Sequence, residues 1–323
     1  MHNVLTHGAV RRVGEAILTL LGVALLVFVV LRVIPGDQIT ATLGTEATGD
    51  LTPAQHAALR AYYGLDQAPI LQFFGWLGNV LTGNLGVSQR TGQSVLDMTL
   101  ASLPVTIQLA VIAALFGLAL GIPLAMLSAS APNGARDATG QVVGLAALSV
   151  PSFLLGAALL AFVSRTFQYN PSAQGFARLL DDPGLNLQQM LFPALVLGFG
   201  LAAPIMRTGR SALLEAQTQD FVRTARGKGV GPLRVQVRHV LHNALVPIVT
   251  MTGIQFGYLL GGAVVVEQIF SVPGIGRQVL IGLQQREYAV VQSTVLVIAI
   301  LFVVVNLLTD LLYRVIDPRV RPS

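Results

Sequence analysis

The sequence has no cysteine, a single lysine and a single tryptophan, and only 11% of its 323 residues are charged. Without cysteine there is no disulfide, no thiolate nucleophile and no thiolate-held metal, although the compartment stays open. So little charge does not match a soluble protein, which carries about 25% charged residues. With 53% hydrophobic residues, the composition is that of a membrane protein. The net charge of +5 could point to nucleic acid, but the placement of the basic residues explains it better.

Catalytic groups are also sparse. The five histidines are His2, His7, His56, His239 and His242, and only the last two are close enough in sequence to share a metal. No nearby carboxylate completes that pair, and the flanking arginines repel a cation. "ARGKG" resembles a phosphate loop, yet Val222 stands where its first glycine belongs and Gly229 where its hydroxyl belongs. No serine is matched with a base on an apolar helix. Charge is almost absent between the ends of the apolar runs, with no arginine row and no acid deep within them, which disfavours a proton-coupled carrier or a voltage sensor.

What is present is hydrocarbon. A bilayer core of about 30 Å needs roughly 20 apolar residues in a helix. Six stretches meet this, near 14–34, 100–130, 139–164, 188–210, 243–266 and 288–311. The first is read as a retained span rather than a leader, because no cleavage site follows it. Pro104 and Pro123 mark expected bends in the second span, and Pro151, Pro193, Pro204 and Pro247 lie within others. With both termini inside, the inner segments hold 13 of the 20 Arg and Lys, and the longer outer segments hold 7. The positive-inside rule therefore predicts N-in and C-in.

Residues 35–99 form an outer segment. Within it "LTPAQHAALRAYYGLD" has helical spacing with Thr52 as N-cap and Pro53 first. "ILQFFGWLGNVL" reads as an amphipathic helix near the membrane interface, and "GNLGVSQRTGQ" as a turn-rich loop. In the spans, Gln108, Gln141, Gln255 and Asn306 are the main polar residues. Either they hydrogen-bond between helices or they line a solute path.

The charge gathers in one inner loop, "DFVRTARGKGVGPLRVQVRH", residues 220–239. Asp220 is expected to cap a short helix whose small face is Val222, Ala225 and Gly229, with Gly227 and Gly229 ending it. Pro232 then opens a second helix bearing Arg234, Arg238 and His242 as a basic stripe suited to lipid headgroups. Headgroups need no small residues, whereas docking into a protein groove does, so the small face is the expected docking surface.

The loop and its continuation, "DFVRTARGKGVGPLRVQVRHVLHNALVPIVT", resemble the EAA-type coupling loop of ABC importer permeases in the oligopeptide/dipeptide branch. Ala225, Gly229 and the region His239 to Leu241 align with the general pattern, whose opening Glu and closing Ile and Pro are absent. "VIPGDQ", "LRAYYGLDQAPILQFFGWLGNVLTGNLGVS", "LPVTIQLAVIAALFGLALGIPLA", "SVPSFLLG" and "VVVEQIFSVPGIGRQVL" are similar to the same branch, in order along the chain.

The resemblance implies an all-α membrane protein with the type I ABC importer permease fold. It implies residues 1–102 as the first span with a large outer segment, 103–310 as a five-helix permease domain with coupling loop 212–240, and 311–323 as a cytoplasmic tail. A second related permease, two ABC ATP-binding subunits and an extracytoplasmic solute-binding protein are the implied partners, in a bacterial plasma membrane and without nucleic acid. This chain would bind no cofactor, since ATP and Mg would be used by the partner ATPases. Asp220, Val222, Ala225, Arg226, Gly227, Lys228, Gly229 and Val230 would meet the ATPase. Glu267, Phe270, Pro273, Gly274 and Gly276 would form an outer gate and binding-protein platform, and Gln108, Gln255 and Asn306 would line the path. Peptides are the branch's usual solute, and nickel, glutathione or sugar-derived cargo are alternatives. An uncoupled channel or carrier and an intramembrane enzyme are the rivals from other classes.

Overall fold

The computed structural model describes residues 2–33, 39, 48–62, 65–169 and 175–316. All but the first residue of "VIPGDQ", and the end of the expected tail, lie outside them. In lipid a chain must satisfy its backbone internally, and these apolar runs do so as helices. The first span is α1 (His2–Val33), and the outer segment forms α2 (Pro53–Tyr62) and α3 (Pro69–Leu81). The second span is α4 (Val95–Ser130), and the third is a pair, α5 (Ala135–Ser149) and α6 (Ser152–Phe167). Next, α7 (Pro183–Gln217) carries the fourth span and leads into the short α8 (Asp220–Gly227). The fifth begins as α9 (Pro232–Val235), widens into a π-helical turn (Gln236–Leu241) and continues as α10 (His242–Gly262). Then α11 (Val264–Ile269) and α12 (Ile275–Gln284) precede the last span, α13 (Tyr288–Ile316).

Among the described residues, five stretches are long and apolar enough to cross a membrane, and the bent pair α5–α6 makes six. That pair turns by 92° where one span over 139–164 is expected. Pro151 is the cause. A proline disfavours helical backbone at the residue before it, and Val150 is accordingly extended, at φ −91° and ψ 117°. Pro193 and Pro204 stay inside α7, and Pro247 inside α10. The helix of α4 runs through Pro104 and Pro123 without interruption.

Packing divides the chain into two units, residues 1–104 with 273–303 and residues 105–272 with 304–323. In the first unit, Phe28 of α1 meets Phe73 of α3 edge-on at 5.2 Å, with Trp76 at 6.5 Å. Arg32 lies 3.4 Å over the Phe28 ring and donates to Gln72 Oε1 at 2.7 Å, which pins α3 along α1. The loop before α4 closes through an isolated bridge between Val87 and Ser94. Glu287 holds this loop by accepting from Ser88 Oγ at 3.0 Å and from the Arg90 amide at 3.2 Å.

The second unit is built on close helix crossings. Gly117 and Gly121 on α4 face α7, and Gly198 on α7 faces α4. A Cβ at Gly121 would lie 2.9 Å from the Ala202 carbonyl oxygen, and one at Gly198 would lie 2.8 Å from that of Ala113. Small residues spaced four apart let backbones approach where no hydrophobic effect drives helices together. α7 is thereby the buried axis of this unit, and its far end delivers α8.

Candidate functional site

The loop after α7 is anchored before it turns. Gln217 Nε2 donates to the Ala129 carbonyl at 3.3 Å and to Gln236 Oε1 at 3.2 Å, which joins the ends of α4 and α7 to the π-helical turn. α8 starts three residues later. Gln219 is its N-cap and makes no side-chain capping bond, so the expectation that Asp220 caps the helix is corrected. Asp220 sits in the first turn and pairs with Arg223 at 2.7 Å. An acid there and Arg226 in the last turn both suit the helix dipole.

The C-terminus of α8 is a Schellman stop. The Val230 amide donates to the Ala225 carbonyl at 3.1 Å, and the Gly229 amide donates to that of Arg226 at 2.9 Å. Gly229 has φ +78°, which L side chains resist. Two sequence features thus meet as expected, with the helix ending at Gly227 and Gly229 turning the chain.

The small face is where expectation and structure part. Val222 is 0% exposed and Ala225 7%, both turned into the chain's own fold. A side chain already buried there cannot also enter a partner's groove, so the reading of Val222 and Ala225 as docking contacts is corrected. An eight-residue helix is far too short to be stable alone and needs such anchors. The outward surface instead carries Phe221, Arg223, Thr224, Arg226, Gly227, Lys228 and Gly229, with Val230 half-buried. Beyond it, Arg234, Arg238 and His242 are exposed, as are Leu233 and Val237.

Next to this loop is a site that the sequence reading missed. Asp137 in the first turn of α5 is fully buried and receives a bidentate pair from Arg210 of α7, Nε to Oδ1 at 2.7 Å and the terminal nitrogen to Oδ2 at 2.6 Å. Ser128 Oγ at the end of α4 donates to Oδ1 at 2.6 Å, the Asn133 amide to Oδ2 at 2.9 Å and Gln141 Nε2 to Oδ1 at 3.0 Å. A carboxylate leaves water without large cost only when paired and hydrogen-bonded this fully. The clasp fastens α4, α5 and α7 at the end that carries α8. The available signal was a lone acid in the short turn between two spans, with an arginine ending a later span.

The residues expected to form an outer gate are mostly enclosed. Glu267 is 0% exposed and accepts from Thr106 Oγ1 of α4 at 2.7 Å, and Phe270 is 2% exposed beside Gly156. Neither side chain faces outward from the second unit, so neither forms a platform surface. In the first unit Gly274 caps α12, Gly276 is buried and Pro273 is half-buried. Gln108 Nε2 donates to Asn186 Oδ1 at 2.5 Å, and Asn186 in turn donates to the Ala177 carbonyl at 2.8 Å. Gln108 therefore serves interhelical bonding. Gln255 and Asn306 are half-buried.

This arrangement has known relatives. The model of the binding-protein-dependent transport system inner membrane component matches residues 121–322, and the N-terminal model of such membrane components matches residues 5–110. The chain is 37% identical over 333 residues to the dipeptide transport system permease protein DppB of Escherichia coli (strain K12), covering 96% of this chain and 97% of that one. It is 37% identical over 330 residues to the di/tripeptide transport system permease protein DppB of Pseudomonas aeruginosa (strain UCBPP-PA14), with the same coverage of 96% and 97%. Among solved structures, the MetNI methionine ABC transporter in inward-facing form matches with a TM-score of 0.53 and 18% identity, over 68% of this chain and 96% of that one. The shared fold is that of an ABC importer permease. The chain belongs to the family of binding-protein-dependent transport system inner membrane components, as a multi-pass permease subunit of an ABC importer.

Proposed function

We propose that this permease forms half of a translocation path for di- and oligopeptides. A second related permease forms the other half, two ATP-binding subunits drive the pair, and an extracytoplasmic binding protein delivers the solute. The peptide-transport names of relatives 37% identical over nearly the whole chain support this solute over nickel or glutathione. ATP and Mg bind the partner subunits, a division supported by the missing phosphate loop.

One observation carries the coupling role: α8 is stopped at its end, anchored by Val222 and Ala225, and exposed along Arg226, Gly227, Lys228 and Gly229. This outward face docks on an ATPase subunit, with Asp220 and Val230 at its two ends. ATP-driven closure of the ATPase pair favours one position of α8 over another. Because Gln217 ties its base to α4 and to the π-helical turn, that preference shifts the spans between inward-open and outward-open states. Pro273, Gly274 and Gly276 support the outer surface, and Gln255 and Asn306 are retained as path-lining residues.

The test is uptake of labelled di- and tripeptides into proteoliposomes holding the whole complex. Uptake should require ATP, the ATPase subunits and the binding protein, and the purified permease alone should not hydrolyse ATP. Uptake that persists without the ATPase subunits would mean an uncoupled carrier. Strictly ATP-dependent uptake of a non-peptide solute, with peptides excluded, would keep the importer and overturn the solute.

A further inference from the structure

The clasp has a hollow beside it. Between α5 and α7 lies a cavity of about 240 Å³ lined by Gln141, Leu145, Met206, Arg207, Arg210 and Ser211. Arg210 uses Nε and one terminal nitrogen on Asp137, and its remaining terminal nitrogen is not used there. With Arg210 neutralised by Asp137, the net charge of the hollow is that of Arg207. Among the described residues Arg207 has no ion-pair partner, and it is exposed. Alongside, α5 presents Val142, Leu145 and Leu148, spaced three apart and 64%, 56% and 48% exposed.

We propose that this hollow binds an anionic phospholipid. Its phosphodiester would accept hydrogen bonds from Arg207 and from the remaining terminal nitrogen of Arg210, beside Ser211, whose hydroxyl donates to the Arg207 carbonyl at 3.3 Å. Its acyl chains would lie along Val142, Leu145 and Leu148. Three observations meet here. The polar end carries uncompensated positive charge, so it selects an anion. The apolar ridge starts at the cavity wall, Leu145 being part of both, so the hydrocarbon chains of one ligand meet the ridge while its head meets the hollow. The arginine count puts this end of α7 at the cytoplasmic leaflet, where anionic lipids meet basic pockets between spans. Bound there, the lipid bridges α5 and α7 next to the clasp. The inference rests on the orientation proposed above and not on the solute.

The experiment places the full importer complex in nanodiscs of phosphatidylcholine with a minority of phosphatidylglycerol. Retained lipid is then counted by native mass spectrometry. Phosphatidylglycerol should be retained in preference, and Arg207→Gln should reduce it about fivefold, the effect of one arginine near an anionic surface. Arg136→Gln removes the same charge from an exposed position outside the hollow and should leave retention unchanged. Equal loss in both variants would overturn the site as mere surface charge. Displacement of the lipid by excess inorganic phosphate would make it a free-anion site instead. Loss of a partner subunit from Arg207→Gln with lipid retention unchanged would assign this face to a protein. Peptide uptake is not the readout, so failure here is separable from failure of the transport reading.

Discussion

One methyl group separates Gly198 from a backbone clash. Its added Cβ would lie 2.8 Å from the Ala113 carbonyl oxygen and 2.7 Å from Phe116 Cβ, and a main chain cannot yield by changing rotamer. Two residues on, Gly200 has open space at the same point. Alanine is otherwise the better helix former by up to about 1 kcal/mol. Gly198→Ala should therefore destabilise the detergent-solubilised permease by about 1–3 kcal/mol, the usual cost of overpacking. Gly200→Ala should be neutral or mildly stabilising. Thermal melts of the two variants decide the matter, and equal melting points would mean that α4 and α7 do not cross this closely. At this scale the sequence is least legible. "GLALG" at 117–121 is a visible small-residue pair, but its partner Gly198 lies on another span. Asp137 and Arg210 are 73 positions apart, so nothing local marks their pairing.

At the scale of elements, α8 depends on how it stops. Gly229 at φ +78° allows both Schellman bonds, and a β-branched residue there meets a steric cost of about 1–2 kcal/mol. Asparagine tolerates this conformation better than other L residues. Gly229→Val should fray α8, leave membrane insertion intact and sharply reduce solute-stimulated ATP hydrolysis by the reconstituted complex. Gly229→Asn should keep most of it. Full stimulation in Gly229→Val would show that coupling does not use this helix end. The elements themselves were legible where chemistry is local. Apolar length locates the spans, and Thr52 with Gln55 closes a reciprocal cap at the start of α2, amide to Oε1 at 2.9 Å and amide to hydroxyl oxygen at 3.3 Å. Which way α8 faces was not legible. Val222 and Ala225 share a face whether they meet this chain or another, and spacing alone cannot choose. The elbow at Pro151 was half legible, since Pro193, Pro204 and Pro247 occupy similar contexts and stay within their helices.

At the scale of the whole molecule, the reading turns on which end of the spans meets the cytoplasm. Both α8 as a coupling helix and the lipid hollow beside Arg207 require the same side. The argument for that side is electrostatic and cumulative, because each Lys or Arg near a span end biases that end inward, and 13 of 20 gather there. The chain contains no cysteine, so a single introduced thiol reports its own position without background. Asn84 and Gly231 are both exposed, and a Cβ at Gly231 meets nothing within 4 Å, so neither probe position is shielded by this chain. With an impermeant maleimide on intact cells, Asn84→Cys should be labelled, and Gly231→Cys should react only after the membrane is opened. Labelling of Gly231→Cys in intact cells, with Asn84→Cys protected, would invert the topology. The coupling helix would then face away from any cytoplasmic ATPase, and the division of labour proposed for this permease would fall with it.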